Sequence, residues 1–165
     1  MFENDYEIIV PFVFKKESAP EDVAFILSKK YPKLVYSHET ALYYHSLSDV
    51  YPYFLHATVE NNYNPRLTIY GEEMSIVRSR QLIESEEVEY VATSLGNYIP
   101  ITDRERTICD FFHQRYKMDH DVKSKILSKY FSSTGYSPKK LKRKAKKLGV
   151  WEKMEPIVEV LLNYE

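Results

Sequence analysis

Asn97-Tyr98-Ile99-Pro100-Ile101-Thr102-Asp103-Arg104-Glu105-Arg106-Thr107-Ile108-Cys109-Asp110-Phe111-Phe112 is the stretch at which the chain changes character. Ahead of it, short runs of β-branched and aromatic residues alternate with turn residues; behind it, almost every segment carries a helical period. Thr102 and Glu105 form a Ser/Thr-x-x-Glu capping box. In such a box the threonine hydroxyl accepts from the Glu105 backbone N–H while the Glu105 carboxylate reaches back to the Thr102 N–H. Asp103 and Glu105 also place negative charge at the positive end of the helix dipole. Thr107, Ile108, Phe111 and Phe112 then recur as a core-facing stripe, which predicts that Ile108, Phe111 and Phe112 pack this helix on a sheet. Arg106 and Asp110, four residues apart, share a helix face and can pair.

Working outward toward the amino terminus, the apolar run 6–14 reads as one strand with Pro11 at an edge or bulge. Ser18-Ala19-Pro20-Glu21-Asp22 signals a helix start, with Val23, Ile26, Leu27 and Tyr31 on its apolar face and Pro32 beyond its end. That predicts a helix near 19–31. Ser37 is placed to cap a second, short helix near 38–46. Strands are expected at 53–60, 66–70 and 74–83. In the last of these Ile76, Arg78, Arg80 and Leu82 alternate with Val77, Ser79, Gln81 and Ile83. Segments 88–93 and 98–101 flank Leu95-Gly96-Asn97 as a hairpin. Toward the carboxyl terminus, three more helices follow. Asp119 caps the first, Ser137-Pro138 opens the second with Gly149 at its end, and the third runs over 151–163 with Pro156 in its first turn. The expected fold is α+β: a mostly antiparallel β-sheet with two N-terminal helices, followed by a four-helix C-terminal region. Residues 1–165 read as a single domain with a β-rich half, 1–101, and a helical half, 102–165.

Composition narrows the chemistry. Fifteen tyrosines and four glycines in 165 residues describe a folded, aromatic-rich chain rather than a disordered one. Cys109, the single cysteine, cannot form an internal disulfide and reads as a small buried hydrophobe. No segment reaches the roughly 18 apolar residues of a membrane span, and the amino terminus lacks a basic leader region, so a cytoplasmic protein without membrane contact is expected. None of the phosphate-loop, dinucleotide, zinc-hydrolase or nucleophile-elbow motifs occurs. His38 and His45 stand seven residues apart, about 10.5 Å along a helix axis, too far for joint chelation. Hence no cofactor, metal or catalytic residue is expected, and the chain reads as a non-enzyme. The enzymatic alternative is a metal-dependent nuclease that would need Asp103, Glu105 and Asp110 to converge on an ion.

Charge is unevenly placed. Lys139, Lys140, Lys142, Arg143, Lys144, Lys146 and Lys147 put seven cations and no acid into nine residues, while the whole chain is at −1. This helix, with Arg78 and Arg80, is a candidate contact for nucleic-acid phosphate or an acidic partner, against the plainer reading of a solvated helix face.

Val35-Tyr36-Ser37-His38-Glu39-Thr40-Ala41-Leu42-Tyr43-Tyr44-His45-Ser46-Leu47-Ser48-Asp49, followed by Pro52, resembles the SHxSALxxHGLSD…P segment of AbiEi-family antitoxins. These belong to bacterial abortive-infection toxin–antitoxin systems. The stretch 101–110 resembles the same family's ERTxxD signature at the opening of a helix. The residues that match are Ser37, His38, Ala41, Leu42, His45, Glu105, Arg106, Thr107 and Asp110, and the resemblance spans roughly residues 33–162. Ser46 stands where the family usually has glycine. Typical members begin with a winged helix-turn-helix that binds operator DNA, and residues 1–32 are too few and wrongly patterned to hold one. The resemblance therefore implies an antitoxin domain alone, or a chain cut from a longer one. Its implied role is a type IV antitoxin of phage defence, counteracting a nucleotidyltransferase-like toxin. The matching residues would be structural or partner-contacting, and none would be catalytic. A nucleic-acid-binding regulator using helix 138–148 is the alternative.

Overall fold

The strand that precedes the helix start, β7 (Tyr98–Thr102), is bonded on both sides. The computed structural model describes residues 6–9, 12–15, 21–67, 74–81 and 83–163. Two short strands, β1 (Tyr6–Ile9) and β2 (Phe12–Lys15), pair antiparallel as a separate two-stranded sheet. The run read as one strand is thus two. After α1 (Val23–Lys30) come β3 (Val35–Tyr36), α2 (His38–Tyr44), β4 (Leu55–Glu60) and β5 (Met74–Ser79). A 3-10 turn, Ser85–Glu87, leads into β6 (Val88–Ala92), which forms the expected hairpin with β7. Gly96, at φ +81°, supplies the left-handed residue that this hairpin needs. Four helices follow: α3 (Arg104–Phe111), α4 (His120–Phe131), α5 (Pro138–Lys147) and α6 (Trp151–Asn163).

The five-stranded sheet has the order β5-β4-β3-β7-β6, and it is mixed rather than mostly antiparallel. β3 pairs antiparallel with β4, and β6 with β7, but β3 and β7 run parallel, as do β4 and β5. The physical reason is β3: two residues long, it joins distant segments, with Tyr36 opposite Ala57 on one side and Ile101 on the other. Those residues, with Ile76 beside Ala57, share one face. α1 covers it through Ala24, Phe25 and Leu27, and Tyr36 donates from its hydroxyl to the Ala24 carbonyl at 2.8 Å. The opposite face carries Thr58 and Thr102, and α2 and α3 lie beside it.

The helical arrangement also departs from expectation. Ile108, Phe111 and Phe112 do not dock α3 on the sheet; they join a second core with Leu127, Leu141 and Met154 of α4, α5 and α6. Leu42 of α2 and Leu47 just after it enter that core too, while Ala41 packs in the sheet core, so the second helix bridges the two.

Helix ends explain several smaller differences. Asp103, not Thr102, is the N-cap of α3, its carboxylate accepting from the Arg106 N–H at 2.6 Å. Thr102 is drawn away by Thr107: their hydroxyls lie 2.7 Å apart, and Thr107 also donates to the Asp103 carbonyl at 2.8 Å. A reciprocal capping box does occur, between Glu84 and Glu87 at the 3-10 turn. α1 is capped by Asp22, which accepts from the Phe25 N–H at 3.2 Å; Ser18, Ala19 and Pro20 lie outside the described residues. Ser137 caps α5 as expected, and Gly149, at φ +70°, follows its end. Pro156 sits past the first turn of α6, where its missing N–H removes a helical bond. The strand expected at 74–83 stops at Ser79, whose hydroxyl accepts from the Gln81 N–H at 3.1 Å and turns the chain; Leu82 lies outside the described residues. The strand expected at 66–70 falls partly outside them.

Candidate functional site

Because β3 and β7 are parallel neighbours, the two helices that follow them start at the same end of the sheet. Ser37-His38 opens one and Asp103 the other, which brings the two sequence signatures together. His45 locks the pair: its Nε2 donates to the Thr102 carbonyl at 2.7 Å, and burial lowers its pKa.

Ser37 occupies the N-cap position of α2 without capping. Its hydroxyl lies instead 2.7 Å from that of Thr58 and 2.9 Å from Nδ1 of His38, tying β3, β4 and α2 into one polar knot. His38 adopts φ +50°, a left-handed conformation uncommon outside glycine but less so for Asn, Asp and His. Its ring is buried, stacks on Tyr116 at 4.9 Å and meets the edge of Phe111 at 5.6 Å. That burial pushes its pKa down to about 4, so at neutral pH it is an uncharged ring. Glu39, one residue on, accepts from the Tyr116 hydroxyl and lies 3.2 Å from His56 Nε2. Ala41 packs in the core under α1, and Leu42 in the helical core.

Arg106 holds the second signature together. Its guanidinium donates to Glu87 at 2.8 Å and to Asp110 at 2.9 Å. Burial raises the Asp110 pKa against the opposing pull of Arg106. Glu87 has its other oxygen on Lys144, at 2.5 Å; the cations outweigh its burial and lower its pKa. Glu105 accepts from the Tyr130 hydroxyl at 2.7 Å and pairs with Lys140 at 2.6 Å, which likewise holds its pKa down against burial. Thr107 is spent on the Thr102–Asp103 turn.

The basic helix α5 therefore has two cationic faces with different fates. Lys140 and Lys144 reach inward onto the buried Glu105 and Glu87, whereas Lys147 pairs with Glu84 at the surface, both side chains exposed. Lys139, Lys142, Arg143 and Lys146, at i, i+3, i+4 and i+7, form an exposed stripe, with Lys142 over the Trp151 ring at 4.8 Å. The seven cations are not one contact surface.

Asp103, Glu105 and Asp110 do not converge: one caps α3, one meets Tyr130 and Lys140, and one pairs with Arg106. Among the described residues, no group of three or more His, Cys, Asp or Glu side chains is arranged to hold a metal ion. Cys109 is fully buried, and burial raises its thiol pKa well above the usual value, which removes it as a nucleophile. No helix among those residues is long and apolar enough to cross a membrane.

What the two signatures border is a cavity of about 390 Å³. His38, Arg106 and Asp110 supply one wall, and Thr58 with residues 77–81 another. Since β5 is an edge strand, side chains from both of its faces reach the rim, and this is where Arg78 and Arg80 lie. The loop after α3 closes the third side with His113, Arg115 and Tyr116. Sequence reasoning missed this loop, although His113-Gln114-Arg115-Tyr116-Lys117 is visibly basic and directly follows the signature helix. Glu87 was missed as well, and nothing distinguishes it in sequence from Glu84, Glu86 and Glu89.

Fold and site together define an α+β protein with a mixed sheet and a basic cavity beside the start of two paired helices. Compared with known proteins, the chain matches no family model and no curated protein.

Proposed function

We propose that this chain is a regulatory protein of the AbiEi antitoxin type, acting in the bacterial cytoplasm against a nucleotidyltransferase-like toxin of an abortive-infection system. It performs no catalysis of its own in this reading. The observation that carries it is the junction of the two resembling stretches. Far apart in sequence, they are one structural unit, opened by parallel neighbours β3 and β7 and fastened by His45 on Thr102. The matched polar residues are mostly engaged inside the molecule, as a scaffold requires. Co-expression with the toxin encoded beside it is expected to restore growth, and the purified protein alone to release no nucleotides and transfer none. Failure of rescue with that toxin, by a folded protein, overturns the assignment.

A second reading, contact with nucleic acid, is favoured by the exposed stripe of Lys139, Lys142, Arg143 and Lys146, which has no acidic residue interleaved. Its test is salt-sensitive binding to unrelated DNA or RNA that is lost on reversing these four charges.

A further inference from the structure

The walls of the cavity between β5, α3 and the loop after α3 carry more positive charge than the fold uses. Arg106 is engaged by Glu87 and Asp110, and Asp110 is the lone acid among the described residues of the lining. Arg80 and Arg115 pair with no described carboxylate, and Arg78 donates only to the neutral side-chain oxygen of Asn64, at 2.8 Å. All three are exposed at the rim. Three guanidiniums around one concavity repel one another, and that repulsion is relieved by an anion.

We propose that this cavity is a binding site for a terminal phosphate group, carried by a free nucleotide or by the end of an RNA strand. A planar guanidinium presents paired N–H donors at the spacing of two phosphate oxygens, and three of them match an anion of more than one charge better than a single carboxylate. Ser79, Gln81 and His113 add neutral hydrogen-bonding groups around them. The volume is that of a site for one small ligand rather than a groove for a polymer. His38 at the inner wall contributes a fixed ring on Tyr116, not charge. The proposal is independent of the antitoxin reading, since it concerns the purified protein without a toxin.

The experiment is calorimetric titration of the intact chain with pyrophosphate, ATP, and a short RNA with and without a 5′-phosphate, repeated with Arg80→Gln and Arg115→Gln. Both substitutions lie on exposed side chains, and unchanged thermal melting verifies that the variants fold. Binding of at least one phosphate-terminated probe, weakened tenfold or more by each substitution, is the expected result. ATP binding without RNA binding identifies a free nucleotide; binding of the 5′-phosphorylated RNA alone identifies a strand end. No binding by any probe, binding that ignores both substitutions, or equal binding of the unphosphorylated RNA overturns the site. Loss of toxin rescue with binding intact counts against the antitoxin reading alone.

Discussion

Arg106 and Glu87 meet at 2.8 Å with both side chains only 2% exposed, so a full ion pair is held inside the molecule. Charges of this kind are retained at a desolvation cost that only close partners offset. Here the partners form a chain: Asp110 on the guanidinium Nε, and Lys144 on the free oxygen of Glu87. The chain joins the 3-10 turn to α3 and α5. Removing one member strands the others. Arg106→Leu is expected to cost about 3–5 kcal/mol in urea unfolding, as for other broken buried pairs. Arg106→Lys should also destabilise, because one compact ammonium cannot replace donors on separate nitrogens, Nε on Asp110 and a terminal nitrogen on Glu87, that the planar guanidinium holds apart. The triple change of Arg106, Glu87 and Asp110 to leucine should recover part of the loss. Strictly additive costs would show that the residues do not act as one network.

Ser46 gives a prediction of opposite sign. It lies at φ +58° just after α2, with its N–H on the Tyr43 carbonyl and the Leu47 N–H on that of Leu42, each at 2.9 Å. This is a Schellman ending, whose left-handed position glycine usually fills. Ser46→Gly is expected to raise stability by about 0.5–1 kcal/mol, since a side chain is strained there. Ser46→Ala serves as the control and should bring no gain. A glycine variant less stable than the parent would mean that the serine hydroxyl contributes more than the strain removes.

The two faces of α5 should behave differently under the same chemistry. Lys144→Met removes a partner 2.5 Å from a buried carboxylate and is expected to cost about 2–3 kcal/mol. Lys146→Met, on the exposed stripe, should stay within about 0.5 kcal/mol. Thermal melting of the two variants side by side tests this. Reversing Lys140 and Lys144 would therefore report on folding, and a contact test belongs on Lys139, Lys142, Arg143 and Lys146.

Legibility in the sequence followed the range of the deciding interaction. The β6–β7 hairpin was readable because Leu95-Gly96-Asn97 fixes it locally. The parallel β3–β7 pair was not: Val35 and Tyr36 are too few to show alternation, and their partners are distant. The α3 cap was displaced by one residue because Thr102 and Asp103 are both competent caps, and Thr107, through a side-chain bond, decides between them. On the site side, the sequence singles out the residues of the two stretches but not the cavity they border. A cavity is assembled from an edge strand and a loop that share no periodicity with the signatures. The inward face of α5 is legible only once the buried Glu87 and Glu105 are seen to lie opposite it, and these acids come from two other elements.

His38 yields the last prediction, a dependence on pH. Its ring is 5% exposed, and burial lowers its pKa from the ordinary 6.5 to about 4. The unfolded chain thus takes up a proton on this residue first as pH falls, and the folded chain resists. The stability from keeping it neutral is whole above about pH 6.5, declines below that, and levels off near pH 4, where the native ring protonates too. A shift of that size corresponds to about 3 kcal/mol. His45, also lowered by burial, adds in the same direction, whereas Asp103 and Asp110, raised by burial, act in the opposite one. The residue's own share is isolated by difference. His38→Asn suits the test, because asparagine tolerates φ +50° and offers Ser37 a hydrogen-bonding partner. Loss of the ring from Tyr116 should lower the variant's stability by a constant amount at every pH. Urea unfolding between about pH 7.5 and 4.5 should show the parent losing about 2–3 kcal/mol more than the variant. Parallel pH profiles would mean that His38 titrates alike in the folded and unfolded chain, as a solvated ring does, and the packed inner wall of the cavity would have to be redrawn.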